Sequence, residues 1–318
     1  MCDAEGARIL DPDVVILGAG PAGLTAGLYV GRAKLRCLLL GAQPGGKPVL
    51  YEEVANYPGF PGGVPGAQLM LGMVSQADDS GIVRLSENAT RISFEPDAIQ
   101  VQVGDRTHSS RALIVATGSD PIPLGVPGEE EFAGNGVYYC AHCDAAVFQF
   151  LAKARACVVG GGDTALHTAL YLTRYAEEVT IVYHGDALKG NASVRDAVHA
   201  HPKIRVELHR RVSAVVGEDH HVEALRLLDT ESGRALEQET DGVFVGIGQR
   251  ANSGLVRGLV DLDEAGFIRV NTGLETSRRG VFAAGDVTDK PFRQIVTAAG
   301  DGATAANSAI RFLQGEPT

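Results

Sequence analysis

The feature that most constrains this chain is a glycine-rich turn that occurs twice, each time between a short apolar run and a helix-forming stretch. Val14-Val-Ile-Leu17 is a β-branched run of the kind buried on both faces of a parallel sheet. Gly18-Ala19-Gly20-Pro21-Ala22-Gly23 follows at once, and Leu24 to Ala33 has helical composition. In such a turn the first glycine permits the reversal and the second lets the backbone approach a pyrophosphate. The third lets helix and sheet pack closely, and the helix N-terminal amides then face the phosphates. Cys157-Val-Val-Gly160-Gly-Gly162-Asp-Thr-Ala165 repeats the pattern without a gap. Gly18 aligns with Gly160, Gly20 with Gly162 and Gly23 with Ala165, and beyond the turn Tyr29 aligns with Tyr171 and Arg32 with Arg174.

Two such units predict an α/β chain with two Rossmann-like, three-layer ββα-type dinucleotide-binding domains, the second inserted into the first. Ala112-Leu-Ile-Val-Ala116-Thr117-Gly118 reads as a strand ending in small residues, and the Pro- and Gly-rich loop Pro121 to Pro127 marks the first crossing. Asp241 to Gly248 is a similar strand that marks the return. The expected boundaries are 1–120, 121–246 and 247–318. Val281-Phe-Ala-Ala-Gly285-Asp286 is a further strand. The helix after it, Gln294 to Leu313, is rich in small residues suited to close approach to a cofactor and to a partner subunit.

With 318 residues and a net charge of −11, the chain is long enough for two cores and is poorly suited to nucleic acid. The longest apolar run, Val14 to Val30, is broken by Gly18, Gly20, Pro21 and Gly23, so no membrane span is expected. The acidic start Met1-Cys-Asp-Ala-Glu lacks the basic opening of a signal peptide, and a cytoplasmic location is the expectation.

The five cysteines separate by setting. Cys37 and Cys157 sit in apolar runs and read as buried strand residues, and Cys2 carries no signal. Cys140 and Cys143 are separated by two residues, a spacing that closes a small disulfide ring and reopens without large backbone movement. A zinc site needs four ligands, no second C-x-x-C exists, and His199, His201, His220 and His221 are scattered. The pair therefore reads as redox-active, with no metal.

From end to end the sequence resembles the low-molecular-weight thioredoxin reductase family. The resemblance rests on Gly18–Gly23, Asn56-Tyr-Pro-Gly-Phe-Pro61, Ala116–Gly118, Cys140-Ala-His-Cys-Asp144, Gly160–Ala165, Val281–Asp286 and Arg293-Gln-Ile-Val-Thr-Ala-Ala-Gly300. It implies a homodimeric FAD enzyme that exchanges electrons with a thioredoxin-like protein disulfide. It implies that Gly285, Asp286, Arg293 and Gln294 contact the cofactor, and that Asn56 and the Gly45-Gly46-Lys47 loop line its site. Lys47 departs from the family's usual Gln; beside a flavin it would stabilise negative charge on the reduced ring, and otherwise it is a solvated loop residue. By the same resemblance Cys143 is the thiol next to the flavin, Cys140 attacks the partner disulfide, and Asp144 moves the proton. His142 replaces a small polar residue. As a cation it would lower the thiol pKa values and make the pair more oxidising; otherwise it is an exposed loop histidine with little influence.

The second nucleotide site departs most. Family members that use NADPH carry His-Arg-Arg at the end of the unit's second strand, with a further Arg nearby. This chain has Tyr183-His184-Gly185 and then Lys189, and His167-Thr168 replaces a paired Glu. Losing two phosphate-binding Arg costs several kcal/mol, at about 1.5–3 kcal/mol per charge-assisted bond, and Asp186 is a poor stand-in for a ribose acid. The pattern resembles NADPH-independent branches of the family, ferredoxin-linked or deeply rooted cyanobacterial. Lys203, Arg205, His209, Arg210, Arg211, Arg278 and Arg279 are the candidate basic patch for an acidic ferredoxin, although their alternation along a strand reads more readily as an ordinary solvated face.

The leading reading is thus a thioredoxin-reductase-like enzyme fed by a donor other than NADPH. Three alternatives stand beside it: an oxygen-dependent flavin dithiol oxidase, a conventional NADPH enzyme with an atypical site, and a non-enzymatic FAD redox sensor.

Overall fold

The computed structural model describes residues 11–316, apart from residues 52, 152 and 220; Cys2 and His220 therefore lie outside the described residues. The chain divides into two compact units, Met1–Asp120 with Arg250–Thr318, and Pro121–Gln249.

The first unit begins β1 (Val14–Leu17), α1 (Pro21–Arg32), β2 (Cys37–Leu40), α2 (Gly66–Asp79) and β3 (Val83–Leu85). An antiparallel meander of β4 (Arg91–Glu95), β5 (Ala98–Val103) and β6 (Arg106–Ser110) follows, then β7 (Ala112–Val115). The chain leaves along β8 (Ser119–Pro121).

The second unit holds β9 (Val137–Tyr138), α3 (Ala141–Asp144), β10 (Arg155–Val159), α4 (Asp163–Leu172), β11 (Glu178–Val182), α5 (Ala192–Ala200) and β12 (Ile204–Glu207). A second antiparallel meander, β13 (Arg210–Glu218), β14 (His221–Asp229) and β15 (Ala235–Glu239), precedes β16 (Gly242–Val245). The chain returns along β17 (Gln249–Ala251), which pairs with β8, and ends in β18 (Val281–Ala283) and α6 (Ile295–Gln314).

Each unit is built on a five-stranded parallel sheet, ordered β18-β7-β1-β2-β3 in the first and β12-β11-β10-β16-β9 in the second. The strands β1, β2, β7 and β16 are apolar along their whole length because both faces are covered. All four residues of β1, β2 and β7 are buried, as are all four of β16. Cys37 lies in β2 and Cys157 in β10, each 1% exposed, and burial pushes both thiols well above the ordinary cysteine range. That is the inert setting expected of them. The return crossing falls at residue 249, three residues later than the pattern after Gly246 suggested.

The small residues of α6 serve a packing purpose. A Cβ on Gly302 would lie 2.1 Å from the Ala22 carbonyl oxygen, so α6 and α1 touch backbone to backbone. Among the described residues, no helix is long and apolar enough to cross a membrane.

Candidate active site

Three segments of the first unit converge on its glycine-rich turn. Gly18 has φ +109°, and a Cβ there would sit 2.2 Å from the Ala116 carbonyl oxygen, so β7's end and the turn meet with no room for a side chain. Gly23 is tighter still: its Cβ would be 1.8 Å from the Gly18 carbonyl oxygen. Gly20, by contrast, faces open space, which leaves its backbone approachable. Pro21 opens α1, where its missing N–H costs nothing. The Gly45 N–H bonds the Ala19 carbonyl at 2.8 Å, and Gly46 lies against Gly20. Gly285 packs on Ala22, bringing the β18 turn alongside.

The polar residues divide between structural and available. Asn56 donates to the Gln294 side chain at 3.0 Å, and Gln294 caps α6 in a reciprocal capping box with Thr297. The Arg293 guanidinium bonds the Asp286 and Thr288 carbonyls and lies 4.0 Å over the Phe267 ring. Thr117 donates to the Asn252 carbonyl at 2.7 Å, and the Gly118 carbonyl takes the Asn252 N–H, which fixes the Ala116-Thr117-Gly118 turn. Asp286 is different. Its Oδ1 is buried and has no hydrogen-bond partner among the described residues. A buried acceptor left open in this way calls for a partner that the described residues do not supply. Burial raises the Asp286 pKa, opposed by the positive charges of Lys290, Arg293 and Lys47. Open backbone at Gly20, the glycine cradle and the Asp286 oxygen together fit a dinucleotide with hydroxyl groups, the chemistry of FAD.

Lys47 is drawn inside the first unit. Its amine bonds the Ser119 carbonyl and pairs with Asp120 at 2.7 Å, so the lysine ties the Gly45-Gly46 loop to the crossing strand β8.

The second unit carries the cysteines. Cys140 and Cys143 form a disulfide with Cα atoms 5.3 Å apart. Cys140 ends the extended segment from β9, and its carbonyl accepts the Cys143 and Asp144 N–H groups, closing the short helix α3. Burial pushes the Asp144 carboxyl up to about 6, against a hydrogen bond from the Cys140 backbone. A carboxyl poised there holds a proton that can be exchanged near neutral pH.

His142 corrects the expectation of a cation beside the thiols. Its ring lies 4.3 Å from that of Tyr171 on α4, and desolvation together with the Arg174 charge lowers its pKa. The basic patch is corrected too. The Lys203 amine bonds the Thr173 and Ala176 carbonyls, Arg205 pairs with Glu178 and Glu207, and His209 and Arg210 meet Glu231 and Asp229. Arg278 donates to the Leu259 carbonyl and Arg279 lies over Phe312. Of the seven candidates, Arg211 is exposed, and the other six have the partners just named.

The second glycine-rich turn keeps the shape of the first. Gly160 has φ +141° and a Cβ there would lie 2.4 Å from the Gly246 carbonyl. Its surroundings differ. The buried Tyr183 ring packs on Gly161 and Gly185, where an added Cβ would lie 2.5 Å from ring carbons. The Lys189 N–H bonds the Gly161 carbonyl at 2.7 Å, and the Asp163 carboxylate accepts the Asn191 N–H at 2.6 Å. The segment after β11 is thus fastened down onto the turn.

Sequence reasoning missed one buried and one half-buried charged group. Glu129 opens a Glu129-Glu-Glu131 run that looks like solvated surface, yet it is 4% exposed while its two neighbours are exposed. Lys290 pairs with Asp301, whose carboxylate also takes the Gly285 N–H, and burial lowers the amine to about 8. No sequence signal marks either residue.

The pyridine nucleotide-disulphide oxidoreductase family profile matches residues 12–302. The chain is 41% identical over 303 residues to a thioredoxin reductase of Mycolicibacterium smegmatis, covering 95% of this chain and 96% of that one. The chain belongs to the thioredoxin reductase family. It is also 40% identical to the NADPH-dependent thioredoxin reductase 3 of Arabidopsis thaliana, covering 98% of this chain and 60% of that protein. Among solved structures, the thioredoxin reductase of Streptococcus pyogenes is 33% identical with a TM-score of 0.87, covering 96% of this chain and 99% of that one. As a member of this thioredoxin reductase family, the chain is a disulfide oxidoreductase with two dinucleotide-binding domains. Its relatives do not mark out an NADPH-independent branch.

Proposed function

We propose that the chain is an FAD enzyme that reduces the disulfide of a thioredoxin-type protein through Cys140 and Cys143, drawing its electrons from a donor other than NADPH. Cofactor binding falls to the first turn, with Gly18, Ala19, Gly20, Pro21, Ala22 and Gly23 beside the phosphates and Asp286 bonding a hydroxyl. Bound FAD supplies the two-electron carrier. Cys140 is the residue that attacks the partner, Cys143 the residue that closes the ring again, and Asp144 the proton donor to the leaving sulfur.

The observation that carries the donor assignment is the end of β11. Where two guanidinium groups would hold a 2′-phosphate, the chain has a tyrosine ring packed on the turn, an exposed His184 and a Gly185 with no room for a side chain. Lys189 is the one fixed cation in the stretch 183–190, and Asp163 and Asp186 lie close in sequence to the turn and the strand end. The conventional NADPH reading has two findings in its favour, the name of the Arabidopsis relative and the pyridine nucleotide of the matched family's description.

The test is to photoreduce the purified enzyme without oxygen and add an oxidised thioredoxin-type protein. The wild type transfers two electrons, Cys143→Ser traps a mixed disulfide through Cys140, and Cys140→Ser does neither. Offering NADPH, NADH, reduced ferredoxin and a small dithiol in turn then assigns the donor. Transfer by Cys140→Ser at the wild-type rate would remove the cysteine pair from the chemistry.

A further inference from the structure

The carboxylate of Glu129 is buried, yet both of its oxygens are bonded. Oε1 accepts the Leu124 N–H and the Tyr139 phenol, each at 2.7 Å, and Oε2 accepts the Gly125 N–H at 2.7 Å. A buried charge is tolerated only when it is satisfied in this way. Burial and the Glu129 charge both hold the phenol's pKa above its ordinary value, so Tyr139 remains the donor at every working pH.

The glutamate stands on fixed ground. The neighbouring Pro127 carbonyl takes the Val215 N–H at 2.9 Å, and Gly128 is pressed against Val215 on β13. Leu124, Val126 and Tyr139 pack on the same apolar cluster beneath the sheet. The other end of the bond is Tyr139, the residue immediately before Cys140. From the far side, Asp144 holds the Cys140 N–H, and the Cys140 carbonyl is bonded into α3. Cys140 therefore sits between two anchored flanks, and on the upstream one the phenol–carboxylate bond holds the residue that follows the paired strand β9.

We propose that Glu129 and Tyr139 form a positioning clamp that keeps Cys140 within reach of Cys143 when the disulfide is open, and so favours ring closure. The inference rests on the reading of the pair as the redox centre. In turnover the Cys140 thiolate attacks the partner disulfide. One partner sulfur becomes bonded to Cys140, and the other leaves as a thiolate and takes a proton. The Cys143 thiolate then attacks the Cys140 sulfur, breaks the mixed bond, re-forms Cys140–Cys143 and releases the second partner thiolate. The two electrons of the dithiol end on the partner. The clamp acts on the second step, because an untethered Cys140 drifts from its neighbour and lowers the effective concentration of the closing thiol.

The experiment is a thiol–disulfide equilibrium on the full chain in dithiothreitol redox buffers. Thiols are trapped and counted on the peptide carrying residues 140 and 143. This readout needs neither the physiological donor nor the protein partner, so it fails or succeeds separately from the proposed function. Tyr139→Phe removes the bond while leaving Glu129 its two N–H partners. It is expected to shift the equilibrium toward dithiol by about tenfold, about 30 mV for a two-electron couple. Glu129→Gln keeps a weaker, neutral bond and is expected to shift it in the same direction by about threefold, since charge-assisted bonds are roughly twice as strong. If Tyr139→Phe does not fold, the glutamine variant carries the test alone. A folded Tyr139→Phe with a lower melting temperature and an unmoved equilibrium would make the bond merely structural and overturn the proposal, as would an unmoved Glu129→Gln.

Discussion

The two glycine-rich turns share a backbone and differ in what surrounds it. Both begin at a glycine with positive φ pressed against a carbonyl, and both leave their second glycine facing open space. Around the first, a buried Asp286 oxygen is left without a partner. Around the second, the Asp163 carboxylate is taken by the Asn191 N–H, while the Gly161 carbonyl takes the Lys189 N–H just as the Ala19 carbonyl of the first turn takes that of Gly45. The lesson is that the strand–turn–helix geometry outlasts the ligand chemistry, because the sheet and helix need the turn to pack whether or not a phosphate sits on it.

The most severe way to break the comparison is to exchange the third position. Gly23→Ala places a Cβ 1.8 Å from a carbonyl oxygen and is expected to abolish flavin retention, read as the 450 nm to 280 nm absorbance ratio of the purified protein. Ala165→Gly, the reverse change in the second turn, is expected to cost about 0.5–1 kcal/mol of stability and no flavin. Equal losses at the two positions would mean that the turns are equivalent after all.

Restoring the missing cations sharpens it next. Tyr183→His, His184→Arg and Gly185→Arg must be combined, because a side chain at 185 would collide with the Tyr183 ring. The triple variant is expected to tighten NADPH binding on the order of 1000-fold, from two charge-assisted bonds of about 1.5–3 kcal/mol each. Calorimetry showing no gain would place the obstacle elsewhere, in the fastened segment after β11.

Asp144 gives the next effect. Its carboxyl is protonated below about pH 6 because burial raises its pKa, so a step that needs its proton slows as pH rises through that value. Asp144→Asn is expected to lower the rate about 100-fold and to flatten this limb. A mutant that kept the limb would assign it to another group. The sign for stability runs the same way: the folded protein holds the Asp144 proton more tightly than the unfolded chain, so this residue's contribution declines as pH rises from about 4 to about 6.

Much of this was legible in the sequence. The two turns, the apolar parallel strands and the C-x-x-C spacing are local patterns, and local patterns survive translation into structure. Lys47 was not legible, since its partners Ser119 and Asp120 lie more than seventy residues away. His142 was left open between two roles because nothing nearby in sequence announces the Tyr171 ring packed against it. Glu129 was hidden for the opposite reason: it looks like its exposed neighbours, and only the fold selects one of the three for burial. The smallest effect follows from the first of these. Lys47→Gln removes a half-exposed ion pair, and its change in melting temperature is expected to correspond to less than about 1 kcal/mol.

The most direct test of the contrast between the turns is an anaerobic titration of the flavin-loaded enzyme with NADPH, followed at 450 nm. If the second turn has lost its grip, micromolar NADPH leaves the oxidised flavin band in place while a dithiol bleaches it through Cys140 and Cys143. Rapid, stoichiometric bleaching by micromolar NADPH would contradict the account.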